Sequence, residues 1–113
     1  MGATALVAAV AADRTRLPEL LAHLRGAELH LSVSPPRDGE VALRTRTVHD
    51  VPLVVVHSSA EAAAAAGEDS CPAVPAAVFA GSLPPGVGLL VDPGTADLVL
   101  SPAHLRDLAT PLS

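Results

Sequence analysis

Aromatic side chains are nearly missing from this sequence, which has no tryptophan, no tyrosine and a single phenylalanine, Phe79. Base-stacking platforms need several rings, so single-stranded nucleic acid is not an expected partner. Lysine is absent as well. All seven basic residues are arginines, set against twelve acidic ones for a net charge of −5, and a duplex-binding surface needs a basic face that this balance does not supply. Cysteine occurs once, at Cys71, which excludes an intramolecular disulfide and fits a reducing, cytoplasmic setting. No apolar run approaches the ~20 residues of a membrane-spanning helix. The apolar stretch 3–12 lacks the positively charged flank of a secretion signal. Its larger residues Leu6, Val7 and Val10 fall at helical spacing, so an amphipathic helix is the preferred reading, although Ala9-Val10-Ala11-Ala12 resembles a cleavage site.

What remains is an alanine-rich chain of 113 residues, 50% hydrophobic, expected to form one domain over 1–113. A chain of this size buries about 65% of its unfolded surface and needs neither disulfide nor metal to hold a core. Its most legible stretch is 86–108. Val87 to Val91 is apolar enough for a strand buried on both faces. Asp92-Pro93-Gly94-Thr95 fits a type II turn, and Leu98-Val99-Leu100 resumes extended chain. Ser101-Pro102 opens a helix as N-cap and first helical residue, with Leu105 and Leu108 on one face.

Upstream, residues 4–12 form a cover helix, and Thr15 caps a second helix carrying Leu17, Leu20, Leu21 and Leu24 to a stop at Gly26. Leu29, Leu31 and Val33 alternate with polar neighbours as a half-buried strand. After a loop at 34–39, a polar strand over 40–49 reverses at His49-Asp50 into the apolar strand 52–57, and the three strands form an antiparallel meander. Ser58 with Glu61 makes a capping box for a helix through Ala66, stopped by Gly67. Residues 68–74 are loop, and Pro75 opens a short helix burying Val78 and Phe79. These elements give an α+β fold, a mixed, largely antiparallel sheet of about five strands with helices packed on it.

Candidate chemistry is sparse. The five histidines show no metal-binding spacing, but His30, His49 and His57 lie on strands or a turn that register can bring together as one face, and the alternative function is a metal-dependent enzyme or small-molecule binder that uses it. The alternative is solvent-facing or hydrogen-bonded imidazoles. Cys71 beside Pro72 is either a nucleophile activated by a histidine or an inert thiol. His57-Ser58-Ser59 places hydroxyls beside an imidazole, against which stands their capping role. Gly86-Val87-Gly88 precedes a strand, the wrong side for a phosphate loop. Asp92 and Asp97 flank a turn and either share a cation or cap the turn. Arg44 and Arg46 lie two apart on one strand face, with Arg37 nearby, suited to an acidic peptide or phosphate or simply solvated. A small-molecule pocket between the sheet and the Pro75 helix is a further possibility.

The stretches LLAHLRGAELHLSV, VALRTRTVHDVPLVVVHSSAEA and GLLVDPGTADLVLSPAHLRDL together resemble the N-terminal domain of the SseB family, as in small actinobacterial SseB-like proteins. Asp92 stands where that family often has Asn, Thr95 where it often has Ser, and Val56-His57-Ser58 replaces Phe-Thr-Ser. The resemblance implies the fold and an accessory or interaction role, with no catalytic residue and no cofactor to carry over.

The expected function is therefore a non-enzymatic cytoplasmic interaction domain that binds a protein partner or a second copy, neither nucleic acid nor membrane. Its candidate contacts are Arg44 and Arg46 and an open sheet edge at Leu98, Val99 and Leu100.

Overall fold

Consecutive β-branched residues from Val54 to Val56 must be covered on both faces and paired on both sides, and the fold is built to do this. The computed structural model describes residues 3–33, 43–67, 71–94 and 96–109. In chain order the elements are α1 (Ala3–Ala12), a 3₁₀ turn (Arg14–Arg16), α2 (Leu17–Leu24), β1 (Glu28–Leu31), β2 (Thr45–Val48), β3 (Val51–His57) and α3 (Ala60–Ala65). They continue as β4 (Ala73–Pro75), α4 (Ala76–Ser82), β5 (Gly88–Val91), β6 (Leu98–Leu100) and α5 (Pro102–Ala109). The result is α+β, the described residues forming six strands in one mixed, mostly antiparallel sheet ordered β4-β1-β3-β5-β6 with β2 also paired to β3.

β5 runs parallel along one side of β3, Val56 opposite Val91, and the crossover between them carries α3, β4 and α4. The other side of β3 is shared. β1 lies beside its last residues, His30 opposite His57, and β2 beside its first, Val48 opposite Val51. The expected meander is replaced by two short strands laid end to end along β3. Three main-chain hydrogen bonds close their junction: Ser32 to the Val55 carbonyl, Val55 to that of Arg44, and Arg44 to that of Ser32.

One face of the sheet is covered by α1, α2, α4 and α5. Its core joins Val54, Val56, Leu89, Val91, Leu98 and Leu100 to Leu20, Leu24, Phe79, Leu105 and Leu108. α1 belongs to this core, with Leu6, Val7 and Val10 buried, and is more than the cover expected from its small side chains. The opposite face holds a smaller cluster, Leu53, Val55 and Leu90, flanked by Val48, Val51 and Val99.

Several local expectations shift. Asp13, not Thr15, caps the turn before α2, its carboxylate accepting the Thr15 N–H and hydroxyl. Ser59, not Ser58, is the N-cap of α3 and accepts from Ala62. Val78 is 68% exposed while Ala76, Phe79 and Ala80 fill the inner face of α4. β4 appears inside the expected loop because its backbone completes the outer side of β1. The loop at 34–39, residues 40–42 of the expected second strand, residues 68–70 and Thr95 of the turn lie outside the described residues. The reversal at His49-Asp50 is a two-residue turn with φ of 50° and 65°, the positive pair that a type I′ hairpin requires.

Candidate functional site

In open sheets ligands collect at the carboxyl ends of parallel strands, and here the paired ends of β3 and β5 bring His57, Ser58 and Asp92 together. The Asp92 N–H continues the ladder to the Val56 carbonyl at 3.0 Å, and the residue then turns into the left-handed region with φ of 52°. Aspartate tolerates that conformation better than most side chains. Its carbonyl closes the following loop, accepting from Ala96 at 3.0 Å and Asp97 at 3.1 Å.

The Asp92 carboxylate is turned inward. Oδ1 accepts the Ser58 N–H at 2.8 Å and Oδ2 accepts the Ser58 hydroxyl at 2.7 Å. Ser58 Oγ lies 2.7 Å from Thr4 Oγ1, which is also 2.8 Å from Ser59 Oγ. Because an ionised carboxylate only accepts, the Ser58 hydrogen goes to Asp92 and the Thr4 hydrogen to one of the serines. Three segments far apart in sequence are thus tied at one point: the start of α1, the entry to α3 and the exit of β5.

His57 stands beside this network without joining it. It is 1% exposed and its Nδ1 is 4.0 Å from Asp92 Oδ1, beyond hydrogen-bond reach. Neither ring nitrogen has a hydrogen-bond partner among the described residues. A serine triad needs hydroxyl, imidazole and carboxylate in series. Here the hydroxyl bonds the carboxylate directly and the imidazole is set aside, so the arrangement is that of a latch.

The structure brings His30 directly across from His57 and leaves His49 at the other end of β3. The six steps from Val51 to His57, at about 3.3 Å each, separate the two ends of β3 by about 20 Å. Among the described residues no three His, Cys, Asp or Glu gather as a metal-holding group. His23 is exposed on α2 and Cys71 is half-buried. His104 completes a reciprocal cap for α5, its Nδ1 accepting from the Ser101 N–H at 3.2 Å while Ser101 Oγ accepts from the His104 N–H at 3.3 Å. Asp97 holds the Gly94 N–H at 2.8 Å, a turn-closing bond.

Arg44 and Arg46 are exposed at alternate positions of the β2 segment, the Arg44 Nε–H donating to the Val33 carbonyl at 3.3 Å. Leu98 and Leu100 are buried in the core, and Val99 between them is half-buried with its carbonyl accepting from Arg14 Nη2 at 3.2 Å. A groove of about 590 Å³ opens between α4 and α5, lined by Leu83, Pro84, Val87 and Leu105 among others, with Arg106 at its rim. Thr4 and Ser59 carry no pattern in the sequence that would mark them as members of the Asp92 network. Their meeting depends on partners 54 and 55 residues apart.

The model of the SseB protein N-terminal domain matches residues 3–107. The chain belongs to the SseB family. No curated protein and no solved structure matches it. The match runs from α1 into α5, so the latch and the β6 strand lie within the matched residues of this SseB domain. No helix among the described residues of this SseB domain is long and apolar enough to cross a membrane.

Proposed function

We propose that this SseB domain is a non-enzymatic interaction module that holds a protein partner on its sheet. The observation that carries this role is the exposure of β2. Thr45, Arg46 and Thr47 are all exposed, and among the described residues β2 pairs only with β3. The two terminal strands are guarded in ways that discourage added strands. On β6 the Val99 carbonyl is occupied by Arg14. On β4 the Pro72 carbonyl and the Ala76 N–H bond inward to Leu31 and Ala27, which turns Ala73 and Pro75 outward, and Pro75 has no N–H to offer. A strand docking at Leu98 to Leu100 has to displace Arg14, whereas among the described residues no such guard stands at the outer edge of β2. The polar cluster supports a binding role because its hydroxyl and carboxylate are committed to each other. A single cysteine fits a cytoplasmic site of action.

The test is recovery of the untagged protein from its natural host at low ionic strength, with any co-purifying polypeptide identified and the complex rebuilt from pure components by calorimetry. A defined stoichiometry that survives His57→Leu supports the interaction role. A protein that stays alone through purification, or that loses a measurable turnover on His57→Leu with its fold intact, overturns it.

A further inference from the structure

The main-chain groups of β2 that no described residue pairs follow from its register. The carbonyl and N–H of Arg44 bond inward to Val55 and Ser32. Alternate residues of a strand point their backbone groups to the same side. Arg46 and Val48 therefore also turn inward, consistent with the two-residue turn that closes Val48 against Val51. Thr45 and Thr47 then present their N–H and C=O groups away from β3. The side chains divide the other way. Arg44 and Arg46 share the face of Leu53 and Val55, their partners across the ladder, while Thr45 and Thr47 take the opposite face.

We infer that this edge receives an acidic extended segment of a partner protein, added antiparallel to β2, with carboxylates opposite Arg44 and Arg46 and main-chain bonds to Thr45 and Thr47. The assignment rests on the interaction role proposed above and names its partner class. Charge decides between the possible occupants. A second copy paired through β2 about a two-fold centred on Arg46 sets Arg46 against Arg46. Centring on Thr45 sets Arg44 against Arg46, and centring on Thr47 avoids a like-charge pair but sets Arg46 against Val48 and pairs only three residues a side before the His49-Asp50 turn. Like charges directly opposite destabilise a strand pair, and carboxylates at the same positions stabilise it. An extended segment also supplies what a folded anionic surface lacks, a row of amides spaced to match the edge.

The probe is a fluorescein-labelled nine-residue peptide of alternating Glu and Val, its Lys/Val counterpart being the control, read by anisotropy on the full chain. The Glu/Val peptide is expected to bind, the Lys/Val peptide not, and Arg46→Glu to weaken binding at least tenfold. Thr47→Pro removes one outward N–H and leaves the β2–β3 ladder intact, so it too is expected to abolish binding. Because a proline risks the fold, a second arm alters only the peptide. In an antiparallel pair the residues opposite Thr45 and Thr47 face β2 with their amides, and these are the valines. N-methylating the Val amides should abolish binding, and N-methylating the Glu amides should spare it. Equal binding of the Lys/Val peptide, no binding of either, or full binding by both methylated peptides overturns the acidic strand. Light scattering that shows a dimer lost on Thr47→Pro overturns it in favour of a second copy. If a partner rebuilt from pure components binds unchanged with Arg46→Glu, only the β2 assignment fails and the interaction role stands.

Discussion

Asp92 holds Ser58 twice, taking its main-chain N–H at 2.8 Å and its hydroxyl at 2.7 Å, with both residues buried. Each contact closes the gap that opens where parallel β3 and β5 end. Removing the carboxylate leaves the buried Ser58 N–H without its acceptor and the Ser58 hydroxyl with only Thr4 Oγ1 to turn to, at about 1–3 kcal/mol for a buried group left unpaired. Asp92→Ala should therefore cost about 3 kcal/mol in denaturant unfolding. Asp92→Asn keeps one carbonyl acceptor and suits the left-handed backbone, so it should cost about 1 kcal/mol or less. Losses under about 1 kcal/mol for both variants would show that the latch contributes little.

Ser58 and Ser59 are adjacent but should respond differently. Ser59→Ala removes the N-cap of α3, worth about 1 kcal/mol. Ser58→Ala leaves a buried Asp92 oxygen short of its donor, and hydrogen bonds to charged groups contribute about 1.5–3 kcal/mol. The expected order is Ser58→Ala worse than Ser59→Ala, measured by chemical denaturation. The reverse order would place the main cap on Ser58.

The hairpin turn at His49-Asp50 holds two non-glycine residues at positive φ. The left-handed region costs roughly 1–2 kcal/mol per ordinary residue, and glycine avoids it at an entropic cost of roughly 0.5–1 kcal/mol. Asp50→Gly should thus raise stability by about 0.5–1 kcal/mol in thermal or denaturant unfolding. A loss on that change would mean the Asp50 side chain contributes more than its backbone strain costs.

Gly88 faces a close approach. A Cβ there would lie 2.5 Å from the Leu100 carbonyl oxygen and 2.8 Å from Leu53 Cδ2. The leucine methyl can turn aside, but the carbonyl belongs to the β5–β6 ladder and cannot. Gly88→Ala should cost about 3 kcal/mol by overpacking, with loss of amide-exchange protection on β6 as the local readout. Wild-type stability in this variant would show that β6 can shift freely.

Asp13 titrates below the usual aspartate value, chiefly because the Thr15 hydroxyl bonds its carboxylate, with the Thr15 N–H next and the Arg16 charge adding to them against slight desolvation. A depressed folded-state value means that its support for the turn is present above the ordinary aspartate range and lost as pH falls through the lowered value. Thr15→Val removes the largest cause and should move the Asp13 carboxyl back toward its ordinary value in an NMR titration. An unmoved titration would remove the hydroxyl as the cause. The carboxylate is fully exposed, so little global stability should follow the change.

Much of the frame is legible from the chain alone because it is set by short-range chemistry. The four leucines of α2, the Ser101-Pro102 start of α5, Gly67 with φ of 86° and the β-branched run of β3 each specify their element within a few residues. Tertiary structure decided the rest. The capping-box spacing of Ser58 and Glu61 points to Ser58 as the cap of α3, but the Asp92 carboxylate, 34 residues away, takes Ser58 and leaves Ser59 to the helix. Sequence alternation put Arg44 and Arg46 on one face. Only the register against β3 showed that the main-chain groups of Thr45 and Thr47 face outward, since inward and outward backbone groups are set by hydrogen-bond pairing across strands. The three histidines illustrate the same limit. Their residue types allowed a shared site, and the length of β3 placed His49 at one end and His57 with His30 at the other.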